Sequence, residues 1–416
     1  MKTRRVAVTG LGVVSPLGSR LSDYWRALSE GENGIGPITH FDATEHSVRF
    51  AGEVSGFDPS DWMDRKEIRR SDRYACYAIA ATLQAQADAG IEVADFDPFR
   101  IGVIIGSGIG GIETFETQFS RLMKRGPSGA GPLAIPMMIA NMASGQVAIR
   151  IGARGINYAP VSACASGAHA VGEGLRAIRR GECDVVFAGG AEAAVSTFAV
   201  SSFAKMGALS RRNDDPESAS RPFDATRDGF VLGEGAGVLV LEDWEHARAR
   251  GAPVLAELAG YGATADAYHI TMPDPRGDAA ARAIERALED AGVEPSEVGY
   301  VNAHGTSTPL NDKTETAALR AVFGGHADRL LVSSNKSMTG HLLGAAGGLE
   351  AIATVQTLRT GIVPPTINYR TADPECDLDY VPNVARSVQI GAAISNSLGF
   401  GGHNVALAFR RNGGDA

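Results

Sequence analysis

Cys164 stands in Val161-Ser162-Ala163-Cys164-Ala165-Ser166-Gly167-Ala168-His169, a clearing of small residues around a single thiol. Downstream, Ala168, Val171, Leu175 and Ile178 recur at helical spacing, Arg176, Arg179 and Arg180 fall in the last turn, and Gly181 follows. The spacing predicts a helix starting at or near the cysteine, where free N–H groups and the macrodipole favour the thiolate, the nucleophilic form. A free cysteine also packs as a small hydrophobe. Cys76, Cys183 and Cys376, which lack such a setting, read that way.

Two histidines have the surroundings of acid–base or oxyanion groups. His304 leaves the end of a predicted strand into the hydroxyl-rich Gly305-Thr306-Ser307-Thr308-Pro309, where α/β sheets place their ligands. Catalysis and local hydrogen bonding both account for it, and Thr306 and Thr308 would hold an amide-bearing arm or make turn bonds. His341 follows Ser334-Asn335-Lys336-Ser337-Met338-Thr339-Gly340 and reads as the first turn of a helix ended by Gly361. There the dipole disfavours imidazolium, and a neutral ring can donate N–H to a developing oxyanion. Lys336 reads equally as an electrostatic partner or as a snorkelling surface lysine. Gly344, Gly347 and Gly348 weaken a helix and call for close packing against another. Asn396-Ser397-Leu398-Gly399-Phe400-Gly401-Gly402-His403-Asn404 reads as an oxyanion loop with an aromatic gate, or as a plain strand-to-strand turn.

Other signals are weaker. Gly106-x-Gly108-x-x-Gly111 follows a strand, but no acidic residue stands about 20 positions on, so a dinucleotide site is not expected. Asp312 with Glu315 reads as a capping pair at a helix start. The four cysteines form no C-x-x-C pair, which excludes a cysteine-based zinc site and suits a reducing cytoplasm. Arg4-Arg5 is not read as a twin-Arg signal, because glycines and a proline interrupt the apolar stretch after it.

The elements that would position these groups alternate between strand and helix. Strands are expected at 6–14, 100–105, 184–188, 237–241, 254–262, 298–303, 330–333, 392–397 and 404–409. Helices are expected at 71–89, 278–291, from Asp312, and up to Leu358. Such alternation predicts α/β layers with mostly parallel sheet, in two stretches, 1–250 and 251–416. With 39 basic and 48 acidic side chains the net charge is −9, a poor balance for binding nucleic acid. No apolar run reaches the ~20 residues of a membrane span. Composition is otherwise that of a folded protein, 44% hydrophobic and 21% charged.

Together these segments resemble the β-ketoacyl-[acyl-carrier-protein] synthases of type II fatty-acid synthesis. The likeness runs from Val8-Thr9-Gly10-Leu11-Gly12 through Ser220-Arg221-Pro222-Phe223-Asp224 and Arg227-Asp228-Gly229-Phe230-Val231-Leu232-Gly233-Glu234-Gly235 to the Gly-Phe-Gly-Gly loop. It implies a thiolase-like five-layered αβαβα fold of two similar halves and a homodimer, without an organic cofactor. It implies Cys164 as acyl-accepting nucleophile, His304 and His341 as the decarboxylating pair, Lys336 as their electrostatic support, and Phe400 as gate and oxyanion donor. Thr306 and Thr308 would meet the phosphopantetheine arm, Ile109 would line the acyl pocket, and Gly399 and Gly401 would also bind substrate. Asn302, Glu350 and Ser395 fall where the family can hold Na+ or K+. The reaction implied is decarboxylative condensation of malonyl thioester with an enzyme-bound acyl chain on acyl carrier protein. The alternatives are a type II polyketide or polyene ketosynthase, heterodimeric in that case, and a non-catalytic chain-length partner, against which Cys164 argues.

Some positions depart from the family pattern. Leu398 and His403 stand for a frequent Phe and Thr, Ala134 is small where some relatives carry Phe, and Pro127-Ser128-Gly129-Ala130 lacks a basic pair. Carrier docking is therefore expected at a stripe of Arg65, Lys66, Arg69 and Arg70, continued by Arg73 if the segment is helical. Lys124, Arg125, Lys205, Arg211 and Arg212 would extend it.

Overall fold

The computed structural model describes residues 4–413. Among these, ten strands join in one sheet. From edge to edge they are Leu331–Ser333, Val298–Asn302, Ala392–Gly399, His403–Arg411, Ala256–Ala265, Val6–Val14, Gly235–Asp243, Val185–Glu192, Ile101–Gly106 and Asn157–Tyr158. Counted within each half of the chain, the strands follow one order twice: third, second, fourth, fifth, first. The two first strands meet antiparallel at a short seam, Ala7 opposite Glu257 and Val8 opposite Ala256.

The sheet is less parallel than the alternation of elements predicts. In each half the second strand runs parallel to the third and fourth, but the fifth lies antiparallel between the fourth and the first. In the second half the reason is local: three residues join Gly399 to His403, and a hairpin that short links only antiparallel strands.

Helices Ser166–Arg179 and Ala346–Thr360 lie between the halves, and each touches strands of both. Helix Arg73–Ala89 covers the outer face of the first half. Asp278–Ala291 and Pro309–Phe323 cover that of the second. The stack is helix, sheet, helix, sheet, helix, the five layers expected. Glycine makes the middle layer thin enough. A Cβ on Gly347 would lie 2.5 Å from Ala168 N, and one on Gly348 2.3 Å from Gly237 O. Gly344 lies outside the helix, in the 3-10 turn Leu343–Ala345 before it. The helix expected from Asp312 starts earlier, with Pro309 in its first turn, where proline's missing N–H costs nothing.

Candidate active site

Cys164 occupies the 3-10 turn Ala163–Ala165 that leads into helix Ser166–Arg179. Ala163 before it is held at φ 51°, a strained angle for a side chain with a Cβ. The second half repeats the device: Leu343 at φ 47° opens the turn before helix Ala346–Thr360, and Gly344 stands where the cysteine would be. Cys164 opens onto a cavity of about 460 Å3, also lined by Ile109, His304, Thr306, Thr308, His341 and Phe400. Phe203, Met206, Phe230 and Leu343 supply much of its apolar wall.

The resting thiol differs from the thiolate expected of a helix start. Burial pushes it up to about 12, while the Lys336 charge and the Phe400 N–H pull it down. The N–H groups of Phe400 and of Cys164 itself are the backbone groups that favour the thiolate there. Phe400 is at the tip of the hairpin between Ala392–Gly399 and His403–Arg411, so the loop is both a strand-to-strand turn and a wall of the cavity. Gly399 lets it approach: a Cβ there would lie 2.7 Å from Ser162 O.

His304 and His341 are buried, with ring centroids 5.3 Å apart and planes nearly perpendicular. The His304 loop is pinned by Glu315, whose oxygens accept from His304 N and Gly305 N, each at 2.8 Å. Lys336 Nζ lies 3.4 Å from His304 Nδ1, donates to His304 O at 2.6 Å, and pairs with Glu350. Lys336 is 1% exposed, so it is no surface lysine. His341 does not lie in a helical first turn; the short helix Lys336–Thr339 ends before it and Ala346–Thr360 begins five residues later. Its backbone is clamped instead, with His341 N donating to Val231 O at 2.7 Å and His341 O accepting from Gly233 N at 2.9 Å. Burial first, then the Lys336 charge, holds both imidazoles well below their usual range. Both are therefore neutral.

Thr306 and Thr308 face each other across 2.9 Å between hydroxyls. The Gly106-x-Gly108-x-x-Gly111 loop binds no nucleotide-like anion from outside, because Glu192 fills it. Asp312 and Glu315 are not caps. Both are buried and facing inward, Asp312 accepting from Phe223 N at 2.8 Å. Of the potential cation ligands, Ser395 lies opposite Asn302 in adjacent strands. Ser395 Oγ, the Asn302 amide and Glu350 Oε2 are buried without hydrogen-bond partners of ordinary geometry among the described residues. Hard oxygens left unsatisfied in this way fit an alkali cation.

The basic stripe is shorter than expected. Its helix spans only Arg65–Ile68, and Arg73 belongs to the next helix, where it pairs with Glu113 and the buried Glu234. Arg65, Lys66, Arg69 and Arg70 remain exposed. Sequence reasoning missed Glu192, read Glu315 as a cap, and gave no role to Phe230, whose ring meets His341 edge-on at 5.3 Å. A carboxylate closing an otherwise apolar strand, as in Val185–Glu192, was the available signal.

Residues 3–247 match the family described as Beta-ketoacyl synthase, N-terminal domain, and residues 255–370 match its C-terminal domain. The chain belongs to the β-ketoacyl synthase family. This synthase is 53% identical over 411 residues to a protein of Synechocystis sp. named 3-oxoacyl-[acyl-carrier-protein] synthase 2, covering 99% of both chains. A Staphylococcus aureus protein of the same name is 50% identical over 410 residues, again with 99% of each covered. Among solved structures, a ketosynthase/chain length factor for ishigamide superposes with TM-score 0.93 at 38% identity, covering 99% of this chain and 100% of the other. A type II polyketide ketosynthase in complex with its acyl-carrier protein gives TM-score 0.91 at 37% identity, covering 98% and 99%.

Proposed function

We infer that this β-ketoacyl synthase condenses malonyl-[acyl-carrier-protein], with loss of CO2, onto an acyl chain held by Cys164, giving β-ketoacyl-[acyl-carrier-protein] in fatty-acid elongation. The observation that carries the reading is the cavity in which Cys164, under two backbone N–H groups, faces two neutral imidazoles. The names of its full-length relatives support the same reaction.

The chemistry follows from the groups present. The Cys164 sulfur attacks an acyl thioester, the N–H groups of Cys164 and Phe400 receive the oxyanion, and the carrier thiol leaves with the cysteine proton. Malonyl thioester then enters. Its carboxylate leaves as CO2, and the electron pair of the broken C–C bond passes to the thioester oxygen as an enolate. Because Lys336 donates toward His304 Nδ1, neutral His304 carries its proton on Nε2 and can donate it to that oxygen beside His341. The enolate carbon attacks the acyl group, and the thiolate of Cys164 departs and is reprotonated. Thr306 and Thr308 bind the phosphopantetheine arm, Gly399 and Gly401 border it, and Ile109 lines the acyl pocket. Na+ or K+ on Asn302, Glu350 and Ser395 would offset the Glu350 charge without entering a bond-making step.

The carrier docks on Arg65, Lys66, Arg69 and Arg70, with Lys205 beside the Met206 rim of the cavity. A homodimer is supported by exposed Phe115, Phe119, Met123 and Ile135 and by the edge strand Asn157–Tyr158, in a chain of two functional stretches, 1–250 and 251–416. Four free buried cysteines suit the cytoplasm, and among the described residues no helix is long and apolar enough to cross a membrane. A second reading, a polyketide or polyene ketosynthase paired with a different subunit, is favoured by the likeness to the ishigamide protein.

The test is peptide mass mapping after incubation with acyl carrier, then product analysis with malonyl carrier. A thioester on Cys164, absent in Cys164→Ala, and a chain two carbons longer are expected. Acylation undiminished in Cys164→Ala would overturn the assignment. Product from the chain alone on saturated acyl carriers separates elongation from the polyketide reading.

A further inference from the structure

Glu192 ends the strand Val185–Glu192 with no exposed surface, and both its oxygens are filled. Oε1 accepts from Ser107 Oγ at 2.9 Å and Ile109 N at 3.1 Å. Oε2 accepts from Gly108 N at 2.6 Å and Gly344 N at 2.9 Å. Ser107 Oγ itself accepts from Gly110 N at 3.0 Å, so its hydrogen is free to point at the carboxylate. Three of the four partners are backbone N–H groups, which can only donate, and they favour the anion against burial, which pushes the carboxyl up.

These bonds reach two separate walls of the acyl cavity. Gly108 and Ile109 belong to one, and Leu343, next to Gly344, belongs to the other. The crossing point is tight: a Cβ on Gly108 would lie 2.9 Å from Glu192 Oε2 and 3.4 Å from Ala163 O, the residue before the nucleophile. The second half holds the loop after its own second strand in the same way, with Glu315 gripping His304 N and Gly305 N. The grip by Glu315 fixes a catalytic ring, whereas that by Glu192 fixes the wall residue Ile109.

We propose that Glu192 is a positioning residue for the condensation, fixing the Ile109 wall against the Leu343 wall and so setting which acyl chains reach Cys164. The proposal rests on the condensing-enzyme reading above. The charge is close enough to oppose formation of the Cys164 thiolate, which supplies a readout that loop packing alone would not move.

Glu192→Gln keeps the size of the side chain but turns an amide NH2 toward backbone donors. Acyl transfer to Cys164 would be compared for butyryl, octanoyl and dodecanoyl pantetheine thioesters, and Cys164 alkylation by iodoacetamide would be followed against pH. The long-to-short ratio of kcat/KM is expected to move about tenfold, the scale on which a pocket discriminates one or two methylenes. The alkylation midpoint is expected to fall, because a neutral amide no longer opposes the thiolate. Ser107→Ala, which removes one donor and leaves the charge, should move the ratio in the same direction by less and leave the midpoint in place. A folded Glu192→Gln protein with wild-type ratio and midpoint overturns the proposal. If Glu192→Gln does not fold, an unchanged ratio in Ser107→Ala overturns it. A wild-type protein that takes no acyl group on Cys164 instead overturns the condensing reading, and the alkylation midpoints still report on Glu192.

Discussion

Lys336 Nζ lies 3.4 Å from Nδ1 of His304 and 2.6 Å from the carbonyl oxygen of the same residue. One buried ammonium thus holds the backbone and keeps Nδ1 free of a proton, so that the ring donates from its other side. The same charge lowers the Cys164 thiol and both imidazoles, so it favours thiolate and neutral histidine together.

Loss of either imidazole should separate the two half-reactions. His304→Ala and His341→Ala are expected to keep Cys164 acylation and to lose about 10²–10³ in malonyl decarboxylation, the usual effect of removing one preorganised oxyanion donor. Release of labelled CO2 from malonyl carrier measures it, and normal release in both variants would refute the pair.

Removing the ammonium should cost stability as well as rate. Lys336→Met leaves Glu350 buried without its partner, and breaking such a pair costs about 3–5 kcal/mol. Denaturant titration of Lys336→Met, with Lys336→Met/Glu350→Gln beside it, is expected to show a large loss in the first and partial recovery in the second. Equal losses would mean that Glu350 is not held by Lys336.

The buried histidines also set a pH dependence. Their folded values lie well below 6.5, so above about pH 6.5 both folded and unfolded rings are neutral and stability is level. Below that the unfolded chain binds protons and the folded one does not, so stability falls by about 1.4 kcal/mol per pH unit for each ring. Urea midpoints at pH 7 and 5.5 should differ more for the wild type than for His304→Gln. Equal differences would show that His304 is not neutral in the fold.

Carrier docking predicts a split between substrates. Reversing charge at Arg69 and Arg70 should raise KM for acyl carrier protein, in a salt-dependent manner, and spare a small pantetheine thioester. The same change in KM for both substrates would return these arginines to ordinary surface.

What could be read in the sequence followed distance along the chain. Cys164, His304 and Phe400 stood out because each is set off by its immediate neighbours, and the longer strands show their own patterns, whereas the two-residue edge strand Asn157–Tyr158 is too short to show one. Lys336 stayed ambiguous because its partners His304 and Glu350 are 32 and 14 residues away. The role of Glu192 was hidden for the same reason, since its amide donors Gly108 and Gly344 are 84 and 152 residues distant and only its place at the end of an apolar strand marked it. The continuation of the basic stripe to Arg73 failed differently: the i, i+4, i+8 spacing was real, but Asp72 caps a new helix between Arg69 and Arg73.

The seam at Ala7–Val8 and Ala256–Glu257 bears on how the chain comes off the ribosome. Until residue 256 has been made, the strand Val6–Val14, buried along its whole length in the finished protein, has no neighbour on one side. An uncovered apolar edge of that kind templates pairing between chains. The half with Cys164 must therefore wait, unfinished, for the half with the histidines. Slow translation after residue 250 is expected to increase aggregation, and a separately expressed second half supplied in trans to relieve it.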